Sequence, residues 1–501
     1  MKKACRYLKV SVSYPPIPTD KGTPLLSQNR QFQYFNEPTY IYPMVPASGA
    51  TMLKVAGYET KWDDAISERK SYDQWLHEIA KETPDLVAIE AKAPVIKRYW
   101  KSISDIKRVS PDTKTALCGD HVTAYPEETL QNSEVDYVIT GGDFDFSIKS
   151  LADHLDRRGE MEPGVWYRDN GSFKSTGRFS QRHNLSEAPF IDRDLTKWKL
   201  YSVHNGNYKY TPGTYTMVGR DCWYRAGGGC TFCSWTIHYP SFNVRRPESY
   251  LEEVGILSEK YGVREIFDDT GTFPVGEWLK KFCEGMIQRG YNKKILIGCN
   301  MRFGALTAEE YKLMKKAGFR FILYGLESAN QKTLDMLNKG VTEKEQVDTC
   351  KIASEAGLDP HLTIMFGYPW ETKNEAMKTV NTAKYLLKKG YAKTWQVTIV
   401  IPYPGTMLFE QAKQNGWLKT EDWERYDMRE PILKTPMKDE EVMEIVQGLY
   451  KVAFDPEFVI RKIVGIRSIR DLKFMARGAK NIFGHIRDFS PEQATKPSPV
   501  S

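Results

Sequence analysis

Short apolar runs alternate with helix-like segments along most of this chain, and this alternation constrains its fold more than any other feature. In residues 1–155 the runs lie at 85–91, 113–119 and 135–142, and the last two end in glycine. A helical pattern covers 96–109 between the first two runs. Strand–helix alternation with glycine at strand ends predicts an α/β fold with a doubly wound, Rossmann-like sheet. Ligands of such sheets bind at the carboxyl ends of the strands.

From about residue 213 the alternation restarts with longer helices. Two of these helices begin with capping boxes, at Thr307–Glu310 and at Thr342–Glu345. Six strand–helix units predict a partial (β/α)6 barrel, because a closed barrel needs eight units and about 250 residues. The six predicted strands cover residues 215–220, 264–269, 295–301, 320–325, 361–367 and 395–401.

A chain of 501 residues exceeds what one hydrophobic core supports, so we expect several domains. Beyond residue 430 the sequence favours helices, and its last dozen residues have the composition of a disordered tail. The predicted division is an N-terminal domain over 1–155, a linker over 156–212, a barrel over 213–430, a C-terminal helical segment over 431–489 and a disordered tail over 490–501.

Composition limits the cellular compartments and the classes of binding partner to be expected for this protein. Eight cysteines in 501 residues do not form a disulfide scaffold, and no run of 18 apolar residues is present. The first residues, "MKKACRYLKVSVSYPPIP", lack the apolar core and cleavage site of a secretory leader. A net charge of +7 does not by itself indicate nucleic-acid binding. We expect a soluble protein of the reducing cytoplasm.

Three cysteines, Cys222, Cys230 and Cys233, follow the first predicted barrel strand with the spacing C-x7-C-x2-C. The glycines at 227–229 allow the tight return that brings the three thiols together. Three thiolates suit a 4Fe–4S cluster that leaves one iron open for a substrate or cosubstrate. Structural zinc takes four protein ligands, and His238 is a candidate fourth, so a zinc site remains an alternative.

Five further stretches, together with these cysteines, resemble the radical S-adenosylmethionine (SAM) superfamily, in the order found in that family. The usual cysteine spacing there is C-x3-C-x2-C, so the longer first gap is a departure. The stretches are "FDDTGTF" (267–273), "NMR" (300–302), "YGLESANQKTLDMLNKG" (324–340), "MFGYPWET" (365–372) and "IPYPGTMLFEQAKQNGW" (401–417).

The resemblance implies that the three cysteines hold the cluster. It also implies that an external donor of the flavodoxin or ferredoxin type reduces the cluster, and that SAM is then cleaved to a 5′-deoxyadenosyl radical. Read without the resemblance, Asp268 and Asp269 are also a candidate metal-binding pair, Glu327 a helix cap, and Gly367 and Pro369 turn residues. The sequence identifies no catalytic acid or base. The implied SAM contacts are Phe232, Asp268, Asp269, Arg302, Glu327, Ser328, Gly367 and Pro369.

The N-terminal domain resembles the cobalamin-binding domain of one branch of this superfamily. The resemblance lies in "PMVPASGATMLKVAGYETKWDDA" (43–65) and "CGDHVTAYPEETLQNSEVDYVITGGDFDFSIKSLADHL" (118–155). Gly142–Asp145 stands for the usual G-E-G-E, and Cys118 replaces a glycine. No D-x-H-x-x-G motif is present, so the resemblance implies cobalamin without a protein histidine below the cobalt. The implied contacts are Glu90, Gly119, His121, Thr123, Gly141 and Gly142.

An alternative for this domain is that it has lost the cofactor and only shapes the substrate pocket. With the cofactor, the resemblance implies a cobalamin-dependent methyltransferase that methylates an unactivated carbon of a small-molecule or lipid-like substrate. The other enzymatic reading is a non-methylating oxidative cyclase or lipid-modifying enzyme. A methylthiotransferase of tRNA would need a second cysteine triad, and the sequence contains none. We therefore expect no nucleic-acid partner.

The stretch from Arg461 to Arg487 carries eight Lys and Arg residues and one acid, Asp471, interleaved with apolar residues. Such a basic amphipathic segment has two explanations. Residues 458–489 contact an anionic membrane surface peripherally, or they form a helix that packs on the barrel with a solvated basic face.

Overall fold

A computed structural model describes residues 8–25 and 32–489, so the tail expected over 490–501 lies outside the described residues. The fold consists of two mainly parallel sheets followed by helices, which confirms the predicted α/β class with a partial barrel and a helical C-terminal segment. In the described residues no helix is both long enough and apolar enough to cross a bilayer.

The N-terminal region contains β1 (Lys9–Tyr14), β2 (Thr23–Pro24), β3 (Tyr34–Phe35), α1 (Met44–Val55), β4 (Glu59–Asp64), α2 (Tyr72–Glu82), β5 (Leu86–Glu90), α3 (Ile96–Val109), β6 (Lys114–Cys118), α4 (Asp120–Ala124), α5 (Pro126–Asn132), β7 (Tyr137–Ile139), α6 (Phe144–Leu155), β8 (Val165–Asp169) and β9 (Ser172–Ser175). Its sheet has the order β4-β1-β5-β6-β7-β8-β9. The first five strands are parallel, and β8 and β9 add to the edge antiparallel.

The segment that was predicted to be a linker therefore supplies two strands of this sheet. Its hairpin turns at Asn170 and Gly171, both with positive φ, and Asn-Gly is the preferred pair for this kind of two-residue turn. The residues of β9 are mostly exposed, so they do not show the alternation of apolar and polar side chains that identifies a strand in a sequence. That alternation is expected only where one face of the strand is buried.

The barrel region contains β10 (Gly213–Thr216), β11 (Gly219–Arg220), α7 (Trp235–His238), β12 (Asn243–Val244), α8 (Pro247–Glu259), β13 (Glu265–Asp268), α9 (Glu277–Gln288), β14 (Leu296–Met301), α10 (Ala308–Lys316), β15 (Phe319–Glu327), α11 (Gln331–Met336), α12 (Glu343–Glu355), β16 (Asp359–Phe366), α13 (Lys373–Lys389), β17 (Thr394–Ile399) and α14 (Met407–Gln414). Its six long strands pair in sequence order, β10-β13-β14-β15-β16-β17, and all are parallel. Both predicted capping boxes form.

Three helices complete the chain: α15 (Asp439–Tyr450), α16 (Pro456–Val464) and α17 (Ile469–Asp488). The last two cover the amino-terminal ends of the barrel strands. Asp471 of α17 forms an ion pair with Lys209, just before β10, at 2.5 Å. The ammonium of Lys462 in α16 donates to the carbonyl oxygen of Lys393, just before β17, at 2.6 Å. The C-terminal helices thus pack on the barrel at the end opposite the cysteines.

Candidate active site

Cys222, Cys230 and Cys233 line one cavity of about 860 Å³ at the carboxyl ends of the barrel strands. All three thiols are reduced and partly exposed. Cys222 lies two residues after β11, and the other two follow a short 3-10 turn over residues 223–227. The structure therefore brings the three cysteines to a single wall of one cavity.

The loop that carries them is held by contacts that explain its glycines. Asp221, with φ of +74°, accepts hydrogen bonds from Arg225 at 2.6 and 2.9 Å. Gly228 and Gly229 have φ of +88° and +74°, a region that glycine adopts without steric cost. The side-chain amide of Asn338 donates to the carbonyl oxygen of Gly229 at 2.8 Å. The seven residues between Cys222 and Cys230 thus form a compact turn, which Asn338 of the stretch 324–340 holds in place.

Backbone hydrogen bonds fix the second half of the loop. The amide of Thr231 donates to Leu337 at 3.0 Å, and its carbonyl accepts from the amide of Leu408 at 2.9 Å. Between the last two cysteines, the amide of Cys233 donates to the carbonyl oxygen of Cys230 at 3.2 Å. The C-x2-C pair is therefore clamped between the end of α11 and the start of α14.

The three thiols share one cavity wall, and three thiolates suit a 4Fe–4S cluster with one open iron. Among the described residues, no three His, Cys, Asp or Glu side chains are placed to hold one metal ion. Zinc needs its sulfur ligands about 2.3 Å from one centre, whereas a 4Fe–4S cluster takes thiolates on separate irons. The Cys222 thiol contacts the Thr272 hydroxyl at 2.9 Å, and the guanidinium of Arg302 lies 3.9 Å from the Cys230 sulfur.

His238, the candidate fourth zinc ligand, faces a different part of the molecule. Its Nε2 lies 2.7 Å from the Asp120 carboxylate, and its Nδ1 lies 3.3 Å from the carbonyl oxygen of Gly141. Both ring nitrogens are thus engaged with the N-terminal region. The zinc alternative therefore lacks the ligand on which it depended.

Four of the predicted SAM contacts line the cavity: Phe232, Asp269, Arg302 and Glu327. The guanidinium of Arg302 stacks on the ring of Tyr224, 3.5 Å from its centroid. Glu327, with φ of +57°, forms an ion pair with Lys339 at 2.8 Å. The wall beside the cysteines therefore presents both a cation and carboxylates to a ligand.

The other four predicted SAM contacts, Asp268, Ser328, Gly367 and Pro369, do not line the cavity. Asp268 is fully buried and accepts from the Thr216 hydroxyl at 2.8 Å and from the Val218 amide at 3.0 Å. Burial raises the pKa of this carboxyl, while its hydrogen bonds oppose the increase. Ser328 is likewise buried. The hydrogen bonds from the Val218 amide to Asp268 and from the Asn330 amide to Ser328 hold the loops after their strands in place.

Sequence reasoning missed three residues of this wall. Thr272 and Asn300 lie within matched stretches, next to residues that were singled out. Lys339 occurs in the sequence "NKG", which gives no sign of a partner twelve residues earlier. The helices α16 and α17 also line the cavity, which no local pattern indicated.

The six residues predicted to contact cobalamin lie at the carboxyl edge of the N-terminal sheet, and none of them lines the cavity. Glu90 ends β5, is buried, and accepts a hydrogen bond from the Tyr14 hydroxyl; burial raises the pKa of Glu90 to about 7. The Thr123 hydroxyl donates to the Gly119 carbonyl oxygen at 2.7 Å and accepts from the Gly141 amide at 3.2 Å. These groups bind one another across the edge.

Side chains of the protein occupy the space beside the glycines of this edge. A Cβ atom on Gly141 would lie 2.2 Å from the Phe179 ring, and one on Gly142 would lie 2.1 Å from the Tyr239 ring. The Tyr239 hydroxyl donates to the Gly142 carbonyl oxygen at 2.9 Å. A Cβ on Gly119 would lie 2.3 Å from the carbonyl oxygen of Ala91. In this arrangement Phe179, Tyr239 and the backbone of Ala91 lie directly against the three glycines.

Charged groups close the same edge. Asp120 binds Lys92 at 2.9 Å as well as His238. Burial opposes the ionisation of Asp120, but Lys92 and the hydrogen bond from His238 hold its pKa below the usual range. His121 is fully buried, with its Nε2 2.9 Å from the Glu128 carboxylate. His121 therefore belongs to the core at this edge.

Comparison with known proteins agrees with this architecture. Residues 217–383 match the family model of the radical SAM superfamily. An uncharacterized methyltransferase of Pyrococcus horikoshii is 27% identical over 401 residues, 78% of this chain and 83% of that protein. The anaerobic magnesium-protoporphyrin IX monomethyl ester cyclase of Cereibacter sphaeroides is 26% identical over 76% of this chain and 62% of its own length.

A solved structure shares the fold of both sheets. The radical S-adenosylmethionine methyltransferase TsrM of Kitasatospora setae, with cobalamin and a [4Fe-4S] cluster bound, superposes with a TM-score of 0.62. The match covers 86% of this chain and 83% of TsrM at 15% identity. It therefore supports the two-domain fold, and the barrel end with its three cysteines is the part that carries the family match.

Proposed function

From the match of residues 217–383 to the radical SAM superfamily, we propose that this chain is an enzyme that cleaves SAM reductively and uses the resulting radical on a substrate in the barrel cavity. The observation that carries this proposal is the wall on which Cys222, Cys230 and Cys233 stand beside Arg302 and Asp269. Thiolates for a cluster and charged groups for an amino acid moiety thus share one cavity.

The residues of this wall have distinct tasks. Cys222, Cys230 and Cys233 would hold the cluster, which when bound would supply the electron for the reductive cleavage of SAM. Arg302 is placed to bind a carboxylate, and Asp269 is placed to accept hydrogen bonds from an ammonium group. The C-terminal helices close the other end of the barrel, which limits the access of water to a reactive intermediate.

The relatives favour methyl transfer to an unactivated carbon as the outcome, with cobalamin as the methyl carrier. Names of similar proteins include methyltransferases, and the superposed structure of TsrM contains cobalamin. In this chain, Glu90, Gly119, Thr123, Gly141 and Gly142 are the residues expected to face that cofactor. Methylation by this route requires the rings now packed on the glycines to leave the edge.

A second candidate is a radical reaction without methyl transfer, such as an oxidative cyclisation. The closed edge favours it, because Phe179 and Tyr239 occupy the positions beside Gly141 and Gly142. The cyclase of Cereibacter sphaeroides is similar to this chain over 76% of this chain and 62% of the cyclase. In this candidate the N-terminal domain shapes the cavity rather than carrying a cofactor.

The partners follow from the same chemistry. A flavodoxin-type or ferredoxin-type protein is the proposed electron donor, and the proposed substrate is a small molecule or a lipid. Seven large apolar side chains of the C-terminal segment are more than half exposed, next to its basic residues, and this supports peripheral contact with an anionic membrane. They are Phe454, Ile460, Ile463, Val464, Ile469, Leu472 and Phe483.

The proposed activity is tested on anaerobically purified protein reconstituted with iron, sulfide and cobalamin. Dithionite-dependent conversion of SAM to 5′-deoxyadenosine is measured together with the visible spectrum. The triple variant Cys222→Ala, Cys230→Ala, Cys233→Ala is expected to lose both the cluster absorbance and the product. Cys283→Ala, a buried cysteine outside the cavity, is the matched control and is expected to retain both.

The outcomes separate the candidates. Retained cobalamin bands and a product heavier by one methyl group, about fourteen mass units, support methyl transfer. Cluster absorbance and 5′-deoxyadenosine without retained cobalamin support the second candidate. A colourless protein that forms no 5′-deoxyadenosine would overturn both.

Membrane contact is tested separately by cosedimentation with phosphatidylglycerol vesicles. The double variant Ile463→Asp, Val464→Asp is expected to reduce the bound fraction severalfold, because it places two anions on the apolar face. The matched control is Val55→Asp, since Val55 is 71% exposed at the end of α1. Equal loss in both variants, or no binding by the wild type, would contradict membrane contact.

A further inference from the structure

The cavity continues from the cysteines to the opposite end of the barrel, where the chemistry of its wall changes. That end is formed by residues 203–208 before β10, by the starts of β16 and β17, and by α16 and α17. A strand of six residues such as β17 is about 20 Å long. The two ends of the cavity are therefore separated by about 20 Å.

The carboxylates of the wall are unevenly distributed. Three of the four, on Asp221, Asp269 and Glu327, lie at the cysteine end. The fourth, on Glu37, is engaged by Lys480 at 2.6 Å. The cations of the opposite end outnumber this single carboxylate five to one, and they are Arg69, Lys393, Lys462, Arg477 and Lys480.

Three of these cations are held by neutral backbone oxygens. Lys462 donates to the carbonyl oxygen of Lys393 at 2.6 Å, and Lys393 donates to that of Gly390 at 2.9 Å. Arg477 donates to the carbonyl oxygen of Tyr208 at 3.0 Å. Carbonyl oxygens satisfy the donors but carry no compensating charge, so this part of the wall stays positive.

The surroundings of Lys462 disfavour its positive charge, first through burial and then through the neighbouring lysines. Burial lowers the pKa of its ammonium group to about 8, although the carboxylate of Asp359 opposes the decrease. That carboxylate is itself bound by Arg320 at 3.1 Å. Burial also lowers the pKa of Arg477. A half-buried cation without its own carboxylate gains most from an anion brought by a ligand.

Between the two ends, Tyr215, Phe267, Leu323 and Met365 give the wall an apolar surface, and the neutral side chains of Thr363, Gln396 and Thr398 complete it. We propose that Lys393, Lys462 and Arg477 form a subsite for a carboxylate or phosphate group of the substrate, which is therefore an amphipathic anion with an apolar body. The inference rests on the proposed function for the other end of the cavity, where the substrate carbon would meet the radical. The subsite anchors the substrate by its charged end and orients the apolar body toward the cysteines.

The test measures binding to the reconstituted full-length protein in the absence of reductant. The probes are dodecanoate, dodecyl phosphate and dodecanol, titrated calorimetrically below their aggregation limits. We expect at least one anionic probe to bind about tenfold more tightly than the alcohol, since hydrogen bonds between charged groups are stronger than hydrogen bonds to a neutral hydroxyl. The tighter of the two anions identifies the group as a carboxylate or a phosphate.

Variants separate the subsite from general basicity. Lys462→Met is expected to remove most of the preference for the anion, whereas Lys462→Arg is expected to restore it. Lys473→Met is the matched control, because Lys473 is an exposed lysine of α17 outside the cavity wall. Equal binding of the anionic and neutral probes, or equal effects of Lys462→Met and Lys473→Met, would overturn the proposal.

The binding assay and the SAM-cleavage assay test the subsite and the proposed function independently. A protein that binds the anions through Lys462 but forms no 5′-deoxyadenosine overturns the proposed function and leaves the subsite standing. A protein that forms 5′-deoxyadenosine but does not prefer the anions overturns the subsite alone.

Discussion

The barrel and the N-terminal sheet both carry candidate ligand-binding residues at the carboxyl ends of parallel strands, but those at the barrel end line a large cavity and those at the N-terminal edge do not. At the barrel end, Cys222, Asp269 and Arg302 face a cavity of about 860 Å³. At the N-terminal edge, Phe179 and Tyr239 cover Gly141 and Gly142. Parallel topology marks an edge as suitable for a ligand, but segments from elsewhere in the chain decide whether the edge is open.

The two covering rings differ in how firmly they are held. Tyr239 follows α7 in the barrel region, is 3% exposed, and donates its hydroxyl hydrogen bond to the N-terminal edge. Phe179 follows β9 and is only half-buried. Burial of a large aromatic side chain contributes roughly 1.5–3 kcal/mol, so a cofactor at this edge must offset that loss for each ring it displaces. We therefore expect the displacement of Phe179 to cost less free energy than the displacement of Tyr239.

The largest effect is expected from Gly271→Ala at the barrel end. A Cβ there would lie 2.6 Å from the backbone carbonyl oxygen of Asp221 and 3.1 Å from the Cβ of Cys222, so the cysteine loop must move. We expect cluster iron and 5′-deoxyadenosine formation to fall to background. The matched control is Gly448→Ala in α15, where a Cβ meets nothing within 4 Å. An iron content in Gly271→Ala equal to that of the wild type would contradict the prediction, because it would show that the cysteine loop can move without loss of the cluster.

The next effect concerns the cation beside the cysteines. Arg302→Ala removes a charge-assisted contact to the ligand and is expected to lower the rate of 5′-deoxyadenosine formation about 10–100-fold. Arg302→Lys is expected to recover part of the loss, since it keeps the charge but not the planar stacking on Tyr224. Arg289→Ala, an exposed arginine after α9, is the control. An equal rate in Arg302→Ala and the wild type would remove Arg302 from the site.

A smaller change is expected when the closed edge is opened. Phe179→Ala removes the ring beside Gly141 and is expected to raise the cobalamin retained after gel filtration severalfold over the wild type. Phe179→Leu, which keeps an apolar side chain of similar bulk, serves as the control. Visible absorbance of the eluted protein measures the retained cofactor. Retention of one full equivalent of cobalamin by the wild type would contradict this prediction, because it would show that the edge opens without mutation.

The smallest effect is a pH dependence at the closed edge. His183 bonds Asp143 at 3.3 Å and Glu162 at 3.0 Å and stacks on Phe146, while Arg220 faces the other oxygen of Asp143 at 3.4 Å. Burial opposes protonation of His183, but the two carboxylates raise its pKa to about 9. Its stabilising contribution is therefore complete below about pH 6.5 and is lost as the pH rises through 9.

The variant His183→Gln isolates this contribution. The difference in melting temperature between the wild type and His183→Gln is expected to shrink between pH 6.5 and pH 9.5, because only the wild type loses a proton there from this site. Other groups that titrate in the same range cancel in the difference. A difference that is constant or grows with pH would contradict the raised pKa of His183.

Much of the barrel follows from local sequence. Five of the six predicted strands and the capping boxes at Thr307 and Thr342 depend on patterns within about fifteen residues, and they are present in the structure. The strand predicted over 215–220 is divided, because β10 ends at Thr216 and β11, which precedes the cysteines, pairs with β12 in a separate sheet. The roles of individual residues do not follow as well. Asp268 and Asp269 are adjacent in sequence, but only Asp269 lines the cavity. The pleat of the strand end decides which of the two faces inward.

The N-terminal edge shows the same limit more strongly. Glu90, Gly119 and Gly141 stand at strand ends as the alternation predicts. Their neighbours Phe179 and Tyr239 lie 38 or more residues from Gly141 along the chain, beyond any local pattern. The pairing of Glu327 with Lys339 and the cations of α16 and α17 in the cavity wall are likewise contacts between segments.

By itself, the sequence determined that this chain alternates strands and helices, forms two parallel sheets, and presents three thiols after the first barrel strand. Periodicity, capping and cysteine spacing encode these features locally, so they need no knowledge of distant residues. The tertiary structure alone decided that one strand edge encloses a cavity, that the other is filled by Phe179 and Tyr239, and that basic helices complete the far wall. Space and charge in a site depend on which distant side chains meet there, and only the folded chain brings them together.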